Sequence, residues 1–224
     1  MLVEMERFLE TIAENNGSLF RSMLSQDPGL ANATNDQGVS AVLLTVYYRR
    51  PDFTRELIEA GAEIGLFEAA ALGDTARLEE LIGDDREAAN RFAPDGFQPL
   101  GLAAFFGHLD AALYLLAHGA DPNCPSRNAQ RVAPLHSAAA SNNLRIVAAL
   151  IESGADVNAR QQGGFTALHA AAQNGNEEMV RLLVCARADC AAKNDAGQVA
   201  AEMQRKENAR VDALLRHCTD SGTP

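Results

Sequence analysis

The sequence predicts an all-α stack of short antiparallel helix pairs, and three observations carry that prediction. A short alanine-rich segment recurs at a nearly fixed interval along the 224-residue chain. Each copy is followed by a leucine-rich stretch whose apolar residues have helical spacing. The chain is 47% apolar but only 5% aromatic and has no Trp, so its core must be built mainly of Ala and Leu. Such a core suits short helices that approach closely.

The register is set by Thr166-Ala167-Leu168-His169-Ala170-Ala171-Ala172, with earlier copies at Ala133-Pro134-Leu135-His136-Ser137-Ala138-Ala139 and Gln98-Pro99-Leu100-Gly101-Leu102-Ala103-Ala104. The anchor leucines are 35 and 33 residues apart. The second stretches run from Ala111 to Ala117, Ile146 to Ile151 and Met179 to Val184. Two of them end in Gly119-Ala120-Asp121-Pro122-Asn123 and Gly154-Ala155-Asp156-Val157-Asn158. A period of this length built on a Pro-Leu-His core resembles the ankyrin-repeat family. A lone Pro-Leu-His would be weak, but a whole unit recurring in phase is specific.

Weaker copies extend the register over residues 5 to 217, through Leu66, Val42 and Leu9 upstream and Ala201 downstream. The resemblance implies an all-α solenoid of about seven helix pairs with projecting β-hairpin loops. Its expected units are an N-terminal cap (1–34), repeats at about 35–64, 65–92, 93–123, 124–158 and 159–192, a C-terminal cap (193–217) and a disordered tail (218–224). Neither helix of a pair can bury its apolar face alone, so the units stack. Gly119 and Gly154 fit the left-handed residue after a helix end. Arg187 stands where these glycines do, at a cost on the order of 1 kcal/mol. From Val42 to Leu66 the step is only 24 residues, which predicts a missing hairpin near residues 61–65. The longer step around Cys124-Pro125-Ser126-Arg127 predicts a longer finger.

Charge narrows the function. At net −11 the chain lacks the clustered cations that bind nucleic acid or an anionic membrane. Its start, with Glu4, Glu6 and Glu10 among the apolar residues, predicts no signal peptide, and no run approaches a membrane span. Cys124, Cys185, Cys190 and Cys218 have no paired-motif spacing, so free thiols in a reducing cytoplasm are expected. A zinc site sketched from Cys185, Cys190, His217 and Cys218 matches no compact pattern. No phosphate-binding glycine motif follows a strand-like run, so no cofactor is expected. The acids Asp74, Glu79, Glu80, Asp84, Asp85 and Glu87 cluster on one helix and its exit, as a solvated face or an acidic docking patch. His136 and His169 tempt as catalysts, but lack a nucleophile or carboxylate at catalytic spacing. The resemblance implies that they steady the fingers instead.

The resemblance also implies a concave groove lined by the two residues after each Ala-Ala pair and by the finger tips. Its upstream half would present Tyr47, Tyr48, Leu72, Phe105 and Phe106 on successive repeats, with Arg49 on the rim. Phe97, Phe165 and Gln173 are the other partner-binding candidates. The chain has three Tyr and nine Phe, so four aromatics at these positions are hard to ascribe to solvation. Two structural alternatives stay open: one residue of each pair packs between repeats, or the segment at the missing finger folds over the patch. The reading is a monomeric, non-catalytic protein-binding adaptor with no metal or cofactor. Its rivals are an enzyme with an unrecognised site in the groove and a self-associating structural protein.

Overall fold

The computed structural model describes residues 2–83, 85, 87–204 and 208–220. Six α-helix pairs follow one another: α1 (Leu2–Ala13) and α2 (Gly17–Gln26), α3 (Ala41–Tyr47) and α4 (Pro51–Glu59), α5 (Leu66–Leu72) and α6 (Thr75–Ile82), α7 (Pro99–Phe106) and α8 (Leu109–Ala117), α9 (Pro134–Ala140) and α10 (Leu144–Glu152), α11 (Ala167–Asn174) and α12 (Glu177–Cys185). The seventh unit begins with a 3-10 turn, Ala200–Met203, and ends with α13 (Ala209–Asp220).

A common turn chemistry joins the two helices of most pairs, although His108 at the α8 N-cap makes no side-chain capping bond. A left-handed residue, Asn15, Gly73, Gly107, Asn142 or Gly175, reverses the chain. Asn16, Asp74, Asn143 and Asn176 then cap the second helix by accepting the N–H of Leu19, Arg77, Ile146 and Met179. Only the α3–α4 turn carries arginine at both places. Arg49 is left-handed at φ 55°, and Arg50 at the N-cap makes no capping bond.

A second ladder binds each unit to the next. Asn90 donates to Gly119 O and accepts from Asp121 N; Asn123 does the same with Gly154 O and Asp156 N, and Asn158 with Arg187 O and Asp189 N. Asn32 joins Gly61 O to Glu63 N in the same way. The ladder skips one unit after Glu63, where Arg77 Nε instead donates to Ile64 O at 2.9 Å.

The fingers are short reversals of the chain. Each is a tight turn whose closing backbone bonds include Asn35 N to Val39 O, Ala93 N to Phe97 O, Ser126 N to Val132 O, Gln161 N to Phe165 O, and Asn194 N to Gln198 O. Among the described residues, strand pairing is limited to the isolated bridges Thr34–Ser40 and Lys193–Val199. The third finger, Ser126 to Val132, is the long one. Successive fingers from the second onward are joined by Arg127 N to Gly96 O, Gln162 N to Gln130 O and Asp195 N to Gly163 O. No finger separates α4 from α5, which are joined through residues 60–65. On the finger beyond that gap, the position that donates in the later fingers is Pro94, which has no N–H to leave unsatisfied.

The gap is echoed in the core, although α3 still packs on α5 across it. Phe8, Ile12, Phe20, Phe53 and Leu57 form an N-terminal core, whereas the buried residues from Ala69 to Cys218 form a second one that Val39 and Leu43 join. The outer helices α6, α8, α10 and α12 pack closely in succession, whereas α4 approaches α6 less closely, as α2 does α4. A seam therefore lies between the second and third pairs. At its finger edge is a hollow of about 640 Å³ that includes Ile64, Glu68 and Pro94. At its other edge is a cleft of about 600 Å³.

Three other sequence expectations change. The tail was expected from residue 218, but α13 continues through Asp220; residues 221–224 lie outside the described residues. Instead of being free, Cys190 and Cys218 form a disulfide, with Cα atoms 6.0 Å apart. Their 28-residue separation carries no motif; packing of α13 against the unit before it brings them together, and only Cys124 and Cys185 are free among the described residues. The free-thiol argument for a reducing compartment therefore falls, while among the described residues no helix is long and apolar enough to cross a membrane. In the acidic cluster, Asp74 caps α6, Glu80 pairs with Arg77 at 2.6 Å and Asp85 with Arg91 at 3.0 Å. Asp84 lies outside the described residues.

Candidate partner-binding site

The predicted aromatic groove divides into separate surfaces. Tyr47, at the end of α3, reaches past α5, whose Ala69, Ala70 and Ala71 are fully buried and too small to obstruct it. Its hydroxyl donates to Asp95 Oδ2 on the second finger at 2.5 Å. Burial and then this bond raise the Tyr47 hydroxyl far above its ordinary pKa. The ring lies 5.5 Å from that of Phe106, which meets Phe105 edge-on at 5.1 Å. Tyr47 and Phe106 are half-buried, while Phe105 is 43% exposed. One member of the Phe105–Phe106 pair thus turns inward and the other outward, because consecutive helical residues point about 100° apart.

Tyr48 does not join this shelf. It is 46% exposed and faces a hollow of about 320 Å³ bounded by Leu9, Ala13 and Asp36. Leu72 and Arg49 instead line the seam cleft. Phe97 is half-buried against the larger core. Phe165, also half-buried, presents its edge to His169 at 5.7 Å. Gln173 is half-buried on α11, two pairs beyond the aromatic shelf. The nine candidates therefore lie on several surfaces instead of one continuous groove.

Sequence reasoning missed the seam cleft. Its apolar walls include Val46, Pro51, Ile58 and Leu72, and Ile58 is 45% exposed. Arg49, Arg50 and Arg55 surround it with a single acid, Glu59. The signal was present in the 24-residue step and in the arginines that replace a Gly/Asn–Asn/Asp turn, but nothing local shows that these features coincide.

The two histidines work as buried struts. His169 Nδ1 accepts the Thr166 N–H at 3.2 Å, so its Nε2–H donates to Gln198 O at 3.2 Å on the next finger. His136 Nε2 donates to Ala159 O at 3.0 Å. Burial holds both imidazoles below their ordinary pKa and favours the neutral form. Among the described residues, no group of three or more His, Cys, Asp or Glu side chains is arranged to hold a metal ion.

A family model for ankyrin repeats in many copies matches residues 135–184, and a single-repeat model matches residues 95–127. The chain is 35% identical over 101 residues to cyclin-dependent kinase 4 inhibitor B of Rattus norvegicus, an alignment covering 44% of this chain and 74% of that protein. It is 32% identical over 145 residues to neurogenic locus notch homolog protein 1 of Xenopus tropicalis, covering 62% of this chain and 6% of the relative. It is 34% identical over 102 residues to ankyrin repeat and SAM domain-containing protein 6 of Rattus norvegicus, covering 46% of this chain and 11% of the relative.

Proposed function

We propose, from the premise that the chain belongs to the ankyrin-repeat family of protein-interaction modules, that it is a monomeric, non-catalytic adaptor gripping a partner protein on the finger side through Phe105, Phe106 and Tyr47. The exposed Phe105 ring carries this reading. It packs edge-on against half-buried Phe106, which in turn meets the Tyr47 ring, and Tyr47 is anchored to a finger, so a partner would meet a surface that is already ordered. Ordering few residues on binding avoids part of the entropic cost, and aromatic residues are enriched in interface cores. The net charge of −11 favours a protein over a nucleic acid as the partner. The kinase inhibitor among the relatives is itself named for acting on a protein.

The test is site-specific photocrosslinking in lysate of the source organism. A benzophenone amino acid at position 105 is compared with one at the exposed Glu178 on α12. A discrete protein joined only through position 105 is expected, and Phe105→Ser should weaken its binding about 30-fold, corresponding to about 2 kcal/mol. Equal labelling from both positions, or unchanged affinity in a folded Phe105→Ser variant, removes the aromatic shelf as the site.

A further inference from the structure

The seam cleft has features that stacking alone does not explain. The α3–α4 turn forgoes both stabilising devices used by its siblings: the Gly or Asn in the left-handed position and the Asn or Asp at the N-cap. The two arginines that replace them both line the cleft. The α7–α8 turn also lacks a capping bond, at His108, but keeps Gly107 in the left-handed position; a turn that gives up both devices marks residues kept for their side chains.

The charge around the cleft reverses that of the chain. Three arginines face one glutamate in a protein with 30 acids and 19 Lys and Arg. Arg55 has a partner, Asp52, at 3.7 Å, and Arg50 Nε reaches Ile12 O at 3.5 Å. The Arg49 side chain has no ion pair or hydrogen bond among the described residues. Beside these cations the cleft is walled by Val46, Ile58 and Leu72, of which Ile58 is 45% exposed and the other two are half-buried.

We propose that this cleft binds an acidic–apolar peptide segment of a partner protein: a large aliphatic side chain enters between Ile58 and Leu72, and an adjacent carboxylate pairs with Arg49 and Arg50. Charge complementarity selects this occupant, because guanidinium groups hold carboxylates through paired hydrogen bonds and an apolar wall favours the neighbouring side chain. The inference rests on the reading of the chain as a protein-binding module. It adds a second contact, away from the aromatic shelf, and specifies the chemistry it recognises.

The probe is a fluorescein-labelled decapeptide with a central Leu-Leu-Asp-Asp in Gly-Ser flanks, compared with versions carrying Asn or Lys in place of both Asp residues. Binding to the full chain is read by fluorescence anisotropy at low and moderate salt. Wild type is expected to bind the Asp peptide at least tenfold more tightly than the Asn peptide, with the preference weakening as salt rises. Arg49→Gly and Arg49→Gln should each erase most of that preference, and Phe105→Ser should leave it intact. Arg49→Gly should also melt no lower than wild type, which separates lost binding from lost folding.

Equal binding of the three peptides, no binding up to millimolar protein, or a full preference retained by Arg49→Gly overturns the proposal. So does a wild-type dimer that Arg49→Gly converts to monomer, since the occupant would then be a second copy. If position 105 crosslinks a partner but the peptides do not discriminate, the cleft assignment fails and the protein-binding reading stands. If the Asp peptide binds as expected but position 105 captures nothing, the shelf fails and the cleft stands.

Discussion

Replacing Arg187 with glycine should stabilise the protein. Arg187 is left-handed at φ 69°, where Gly61, Gly119 and Gly154 occupy the same point of their repeats at φ 93°, 89° and 86°. A left-handed backbone brings Cβ close to the following carbonyl oxygen and costs roughly 1–2 kcal/mol in a residue that has one. Glycine removes that cost but loses roughly 0.5–1 kcal/mol more chain entropy on folding. The net gain is about 0.5–1 kcal/mol. The side chain is exposed, and its backbone carbonyl continues to accept from Asn158 at 3.1 Å in either variant. Urea denaturation followed by circular dichroism should show a higher midpoint with an unchanged slope, and the melting temperature should rise by roughly 1–4 °C. Arg187→Ala keeps Cβ and loses the charge, so it should give no comparable gain. A midpoint for Arg187→Gly at or below that of wild type, or a gain matched by Arg187→Ala, would refute the strain argument.

Two other outcomes follow from buried groups. His136 and His169 have folded pKa values below the ordinary 6.5, because burial disfavours their charged forms. Above about pH 6.5 both states are neutral and the folded state keeps its full stability. As pH falls below that value the unfolded chain takes up protons first, so stability is lost down to the lower folded pKa at up to about 1.4 kcal/mol per pH unit for each histidine. Denaturation midpoints between pH 7.5 and 5 should decline, and His136→Gln should flatten the decline; identical slopes would show that the imidazole is not the group responsible. The Cys190–Cys218 disulfide closes a separation of 28 residues, which the chain-entropy model values at about 3.5 kcal/mol. Reductant or Cys218→Ser should therefore increase amide exchange in α13 before that in α9 or α10, and equal protection with and without reductant would count against it.

The repeat period, the alternation of alanine-rich and leucine-rich helices, and even the absent finger were legible in the sequence because each is written into a local interval. Leu100, Leu135 and Leu168 mark the same point of successive units, and the 24-residue step before Leu66 leaves no chain from which to build a finger. The left-handed backbone at Arg187 was legible for the same reason: its siblings are glycine. The sequence alone left open whether the aromatic residues are exposed or packed. Phe105 faces outward and Phe106 inward to Tyr47, two helix pairs away, a pairing that the smallness of Ala70 and Ala71 between them allows. Tertiary structure also joined Cys190 to Cys218 and carried α13 through Asp220. It alone placed Arg49, Ile58 and Leu72 around one cleft, where the end of α5 meets the α3–α4 turn and α4. A short interval in the sequence reveals a missing part, but the surface exposed by that gap depends on how the flanking units settle against each other.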